Sequence, residues 1–182
     1  MKSKFLIILL FCIIFKIQSF AQESNDVENV HSAKLTYLGI SYSYEHAIGK
    51  QAVLNGELKL ATGFGANYFY NEGKTWHVVF PMLRVEPRYY YNFVKRAGKG
   101  KKTINNSANY LALSINKIFD PILKTSGVGL INEFSAIPKW GIKRAMGQHF
   151  FYETAIGVGY RYNRVDKSRA SLGFDLQLGY AF

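Results

Sequence analysis

The chain has 182 residues, a length that suits one domain. It is rich in aromatic side chains, with 13 Tyr and 14 Phe, and its formal net charge is +11. The only cysteine, Cys12, lies inside an N-terminal apolar run, so a disulfide framework and a cysteine-based metal site are excluded from the body of the chain.

The N-terminus has the three parts of a secretory signal. Lys2 and Lys4 precede an apolar run over residues 5–15, and Ser19-Phe20-Ala21 forms a small-x-small cleavage site before Gln22. The run is shorter than the ~20 residues of a spanning helix. Phe11 stands where a lipoprotein signal needs a small residue ahead of Cys12, so cleavage after Ala21 without lipidation is expected. Losing Lys2, Lys4 and Lys16 with that segment takes the charge from +11 to +8. For an exported chain this basicity points to anionic membrane lipids or lipopolysaccharide as partners, and away from nucleic acid. No later apolar run reaches the ~18 residues of a transmembrane-helix candidate, so a membrane would have to be crossed with strands.

Residues 22–32 are polar and acidic and show no period. Residues 34–46 alternate, with Leu38, Ile40, Tyr42 and Tyr44 against Gly39, Ser41, Ser43 and Glu45. After a Gly-containing turn at 47–51, residues 52–65 place Leu54, Leu58, Leu60 and Phe64 opposite Asn55, Glu57, Lys59 and Gly63. A loop with Tyr68, Phe69, Tyr70 and Trp76 is expected over 66–76. In residues 78–92, Val79, Leu83, Val85, Tyr89 and Tyr91 share a face with Pro81 and Pro87, opposite Arg84, Glu86, Arg88 and Tyr90. Two prolines in one strand predict a bulge there, because each removes a ladder donor. A basic linker over 93–106 leads to a short strand at 110–119, a loop at 120–127 and a long strand at 128–144.

The final segment, 149–182, is the clearest. Phe150, Tyr152, Thr154, Ile156, Val158, Tyr160 and Tyr162 alternate with a polar or small row. Leu172, Phe174, Leu176, Leu178, Tyr180 and Phe182 do the same beyond a polar connection. A period of two over this length means two strands. A soluble barrel would turn the apolar rows inward, and a membrane barrel turns them out to lipid. The small residues of the other row (Gly157, Gly159, Gly173, Gly179, Ala181) and the aromatics near strand ends favour lipid.

These segments make seven strand candidates. A single-chain bacterial barrel has an even number, so an eighth is expected within residues 26–34 or by a break in a long segment. The expected fold class is thus an all-β, antiparallel transmembrane up-and-down barrel of eight strands, with a signal peptide at 1–21, an N-terminal segment at 22–33 and the barrel over 34–182.

The segments VEPRYYYNFVKR, NNSANYLALS, IPKWGIKRAMGQHFFYETAIGVGYRY and GYAF, in that order, make the stretch from Tyr37 to Phe182 resemble small outer-membrane β-barrel proteins of the Bacteroidetes type. The resemblance implies an eight-stranded barrel in the cell outer membrane, with Phe182 as the signal read by the barrel-assembly machinery. It implies no established activity.

Arg84, Glu86 and Arg88 share a face, and Glu57, Lys59, Glu133, Lys139, Glu153, Arg161 and Asp175 are expected in the lumen with them. Glu57, Glu133, Glu153 and Asp175 are the expected partners of the two arginines, since buried charges must be paired. A charge network that plugs the lumen is the first reading, and a narrow selective pore is its alternative. Lys95, Arg96, Lys99, Lys101 and Lys102 form the basic linker, read first as a solvated turn and second as a binding surface for anionic headgroups or peptidoglycan-associated polymers. His77 with Ser126 or Asp120 is the one hint of an outer-leaflet lipid A or phospholipid-modifying enzyme, with no GxSxG motif to support it. A structural or binding role without catalysis is therefore expected, with no cofactor, no metal and a monomeric state.

Overall fold

The computed structural model describes residues 26–67, 74–125, 132–163 and 167–182. The strands are β1 (Val30–Thr36), β2 (Gly39–Ala47), β3 (Ala52–Asn67), β4 (Lys74–Tyr89), β5 (Asn109–Ile118), β6 (Leu123–Lys124), β7 (Glu133–Met146), β8 (Phe150–Asn163) and β9 (Lys167–Ala181). All pairings are antiparallel, and β1 bonds both β2 and β9, which closes the sheet into a barrel. The two-residue β6 continues the line of β5 along β4, so the wall has eight staves. The signal-peptide reading concerns residues that lie outside those described.

The eighth strand is β1, which runs from within the 26–34 segment into the start of the alternation over 34–46. It begins in the segment without clear period and takes Lys34 and Thr36 from what had read as one strand over 34–46. Tyr37 and Leu38 form the turn, and Gly39 adopts φ +139°, outside the range that L side chains favour. A Cβ on Gly39 would also collide with the Leu60 carbonyl of β3. The expected loop at 66–76 is shorter than read: β3 runs to Asn67 and β4 starts at Lys74, so Trp76 pairs with Gly65 in the sheet. Tyr68, Phe69 and Tyr70 lie outside the described residues.

The prolines of β4 leave its register with β3 unbroken from Ala52↔Tyr89 to Asn67↔Lys74. Their cost falls on the other edge. The β4–β5 ladder lapses at Glu86 and Pro87, and beyond Met82↔Ile118 it resumes at Val79↔Leu123. Residues 119–122 therefore bulge beside Phe80 and Pro81, so the expected bulge belongs to the partner strand.

Alternation decides the two faces. Leu172, Phe174, Leu176 and Leu178 point outward, with Leu172 80% exposed, while Gly173, Asp175, Gln177 and Gly179 point into the barrel. The outer surface carries Leu, Ile and Val at mid-height. The interior is filled by polar and charged side chains together with Tyr90, Tyr110 and Phe151. Glycine serves that packing at two cross-strand pairs: the Tyr110 ring lies on Gly141, and the Phe151 ring lies on Gly179.

The β1–β2 turn gives a stability test. Gly39→Ala should destabilise the barrel clearly more than Gly100→Ala, as read by urea unfolding of the refolded protein. Gly100 also has positive φ but open space around it, so its alanine carries only the left-handed penalty of about 1–2 kcal/mol.

Candidate functional site

Inward-facing positions on neighbouring strands stack charges of opposite sign. On the β3–β4 wall, Glu57 stands opposite Arg84 and Asn55 opposite Glu86. Arg84 spreads its fork over three strands: Nη1 lies 3.4 Å from Glu57 Oε2, Nη2 3.1 Å from Asp175 Oδ1, and Nε donates to Asn116 Oδ1 at 2.8 Å. Arg88 does the same lower down, reaching Glu86 Oε1 at 2.6 Å, Glu45 Oε1 at 2.9 Å and Glu153 Oε1 at 2.8 Å. Its guanidinium sits 4.6 Å from the centre of the Tyr110 ring.

Three lysines complete the set. Lys139 Nζ lies 2.6 Å from Asp175 Oδ2, Lys143 Nζ 2.9 Å from Glu45 Oε1, and Lys34 Nζ 3.3 Å from Glu153 Oε2. Glu86 joins the upper and lower groups, because it also approaches Lys139 Nζ at 3.9 Å. Tyr90 and Tyr110 donate their hydroxyls to Glu45 and Glu153, at 3.2 and 2.6 Å. Among the described residues the buried charges are Lys34, Arg84, Arg88, Lys139 and Lys143 against Glu45, Glu57, Glu86, Glu153 and Asp175. Their signs cancel.

Of the ten residues expected in the lumen, seven meet in this network: Arg84, Glu86, Arg88, Glu57, Lys139, Glu153 and Asp175. Glu133 does not reach either of the two arginines; at the start of β7 and partly exposed, it pairs at 3.8 Å with the more exposed Arg161. Lys59 is partly buried, with its Nζ 5.8 Å from the centre of the Tyr37 ring. Three members were missed: Lys34, Glu45 and Lys143. Their signal was present, since Glu45 closes the polar row of β2 and Lys143 follows Lys139 and Gly141 on the inward row of β7. Asn55 and Gln177 are buried in the lumen with no hydrogen-bond partner for their amides within the described chain.

One mouth of the barrel is closed by the segment read as a solvated turn. A short helix, α1 (Phe93–Ala97), and a 3-10 turn (Ile104–Asn106) fold across the end that holds Val30 and Ala181. Phe93, Thr103, Asn105, Asn106, Ser107 and Ala108 are buried. Asn106 Nδ2 donates to Glu45 Oε2 at 2.7 Å and to the Glu28 carbonyl at 2.9 Å, and Asn106 Oδ1 accepts from the Glu28 N–H. Asn105 and Asn106 take positive φ, a conformation that Asn visits more readily than most residues. Arg96 is spent on the lid itself, donating to the carbonyls of Ser107 and Lys102. Lys95, Lys99, Lys101 and Lys102 are exposed. Sequence reading missed the lid because its order rests on asparagine amides that bond residues distant in sequence, and such bonds leave no period.

At the opposite end, His77 Nδ1 lies 3.1 Å from Thr125 Oγ1. Asp120 is exposed and makes no described bond to His77, and Ser126 lies outside the described residues. Among the described residues no three His, Cys, Asp or Glu side chains converge as a metal site.

No family model matches the chain, and no curated protein matches it. Among solved structures, the chain is similar to the crystal structure of Ail, the attachment invasion locus protein of Yersinia pestis, in complex with the heparin analogue sucrose octasulfate. The identity is 12% and the TM-score 0.37, over 85% of this chain and 94% of that one.

Removing one member of the network should show its worth. Glu45→Gln leaves Arg88 and Lys143 without a carboxylate they share, and about 3–5 kcal/mol of stability should be lost in denaturant unfolding. Glu133→Gln, at the solvated rim pair, should cost no more than about 1 kcal/mol.

Proposed function

We propose that the protein is an integral outer-membrane β-barrel of the small Bacteroidetes type, with a structural or binding role and a lumen plugged by its own side chains. The outward apolar surface carries the membrane part of this reading. On β8 the exposed row begins with Phe150 and Tyr152, continues through Ile156 and Val158, and ends with Tyr160 and Tyr162. From Tyr152 to Tyr160 is about 27 Å along a strand, or roughly 20 Å of height at the tilt of such barrels, close to the thickness of an apolar band between two aromatic girdles. Tyr42, Tyr89, Tyr91, Trp140, Tyr180 and Phe182 join the girdle at the lidded end. In water such a surface would aggregate.

The lid and the neutral ion network support the plugged lumen. Lidded end and termini face the periplasm in this reading, the opposite rim faces outward, and Phe182 serves recognition by the assembly machinery. Lipopolysaccharide and other membrane lipids are the partners that the basic exterior would meet. A narrow selective pore is the second reading, and the bare amides of Asn55 and Gln177 favour it. An outer-leaflet lipid-modifying enzyme draws no support from His77, whose ring meets a threonine hydroxyl.

Two measurements test the proposal. Arg in place of Leu176 should cost about 2–4 kcal/mol of stability in lipid, with the penalty falling for residues nearer the girdles. A barrel released from membranes by carbonate wash, or indifferent to Leu176→Arg, overturns the membrane reading. In planar bilayers the wild-type protein should show negligible conductance. Stable currents would overturn the plug and favour the pore.

A further inference from the structure

The lid has a second side. Residues 93–108 contain five cations and no carboxylate. Arg96 is tied to two carbonyls of the lid, and Phe93, its single aromatic, is buried. Lys95, Lys99, Lys101 and Lys102 remain on the exposed side, and the ion pairs among the described residues include none of them. The neighbouring groups reduce this charge without reversing it: Glu28 sets one carboxylate against the five cations of residues 93–108. Glu28 Oε1 accepts the Asn105 N–H, and Arg144 of β7, within electrostatic reach of Arg96, adds to the positive side.

We propose that this lysine face is a binding site for the phosphate headgroups of anionic phospholipids in the adjoining leaflet. The proposal rests on the membrane reading above and adds a lipid class and a place. Depth is the first argument. The lid leaves the wall at Tyr91, whose hydroxyl accepts from Trp140 Nε1 at 2.9 Å and from Asn109 Nδ2 at 3.1 Å, in the aromatic girdle. Val94, apolar and exposed, and Lys95 follow within one helical turn, about 6 Å of rise. The lysines thus begin at the level where headgroups lie. Chemistry is the second argument. Four ammonium groups on flexible stems suit mobile phosphates, which need charge and no fixed fork. A glycan polymer would call for an exposed ring to stack on, and the lid exposes none.

The test uses the full mature chain folded into vesicles of phosphatidylcholine with phosphatidylglycerol as a minor component. Heat-modifiable migration and protease resistance report insertion, and so the membrane reading, separately. Lipid retained on the barrel after gentle detergent extraction is then counted by native mass spectrometry. Wild type should retain phosphatidylglycerol above its share of the vesicle, and added salt should weaken that preference. The variant K95Q/K99Q/K101Q/K102Q should insert equally well and lose at least about five-fold of the enrichment, the worth of one lysine near a charged surface. Retention in proportion to vesicle composition, or an unchanged preference in the variant, overturns the lipid site while leaving the barrel reading intact. Capture of soluble peptidoglycan fragments without phosphatidylglycerol enrichment also overturns it, in favour of a polymer. Failure of the wild type to insert overturns both.

Discussion

A closed barrel whose outer face is apolar has to place its mid-height charges inside, and apart from Arg88 with Glu86 the ion pairs there join different strands. This constraint governs the molecule. The carboxylates and cations of the lumen come from seven staves, and Arg84 alone bonds groups on β3, β5 and β9. Each such bond is made only when the staves are in register, because a slip of one residue turns every inward side chain outward. The network therefore adds specificity to a fold whose backbone ladder would tolerate slippage. Its net contribution to stability is another matter. Desolvating ten charges is costly, and the attraction between them mostly offsets that cost.

Glu45 shows how the wall and the lid depend on each other. Its Oε1 meets Arg88, Lys143 and Tyr90, while its Oε2 accepts from Asn106 of the lid. The lid in turn bonds the N-terminal segment through Glu28 and the β7–β8 turn through Asn105 Nδ2 and the Gln148 carbonyl. One carboxylate thus links the ion network to the closed mouth. Motion of the lid away from the mouth would take the Asn106 donor from Glu45.

The sequence was most legible where the strand pattern is regular. The hairpin of β8 and β9 keeps one register from Phe150↔Tyr180 to Asn163↔Lys167, and its alternation gave both faces correctly. The β1–β2 hairpin hid behind a parity change. Lys34 and Thr36 fall on the same parity as Leu38 and Ile40, so a single strand would have put a lysine on the apolar face. That conflict marked the turn at Tyr37 and Leu38, and Gly39 directly after it was the other sign. For the site, the charges flanking Glu86 could be read from β4 alone, but the partners could not. Which strands meet across a lumen depends on stagger and closure, and Glu133 and Glu45 exchanged their expected importance for that reason. The lid was illegible, since its order comes from asparagine amides and buried backbone, and neither is periodic.

Balance of charge inside also bears on what the lumen can do. Selective filters are built from rings of one sign, which hold the permeant ion and repel its opposite. Here the signs interleave: Arg84 lies between Glu57 and Asp175, and Arg88 among Glu45, Glu86 and Glu153. Each of these cations is thus already engaged with carboxylates of the wall. The excess of basic residues consequently lies outside the lumen, on the lid and the rims. Charge on that surface acts at long range, whereas charge in the interior acts through direct pairs that depend on the register of the staves.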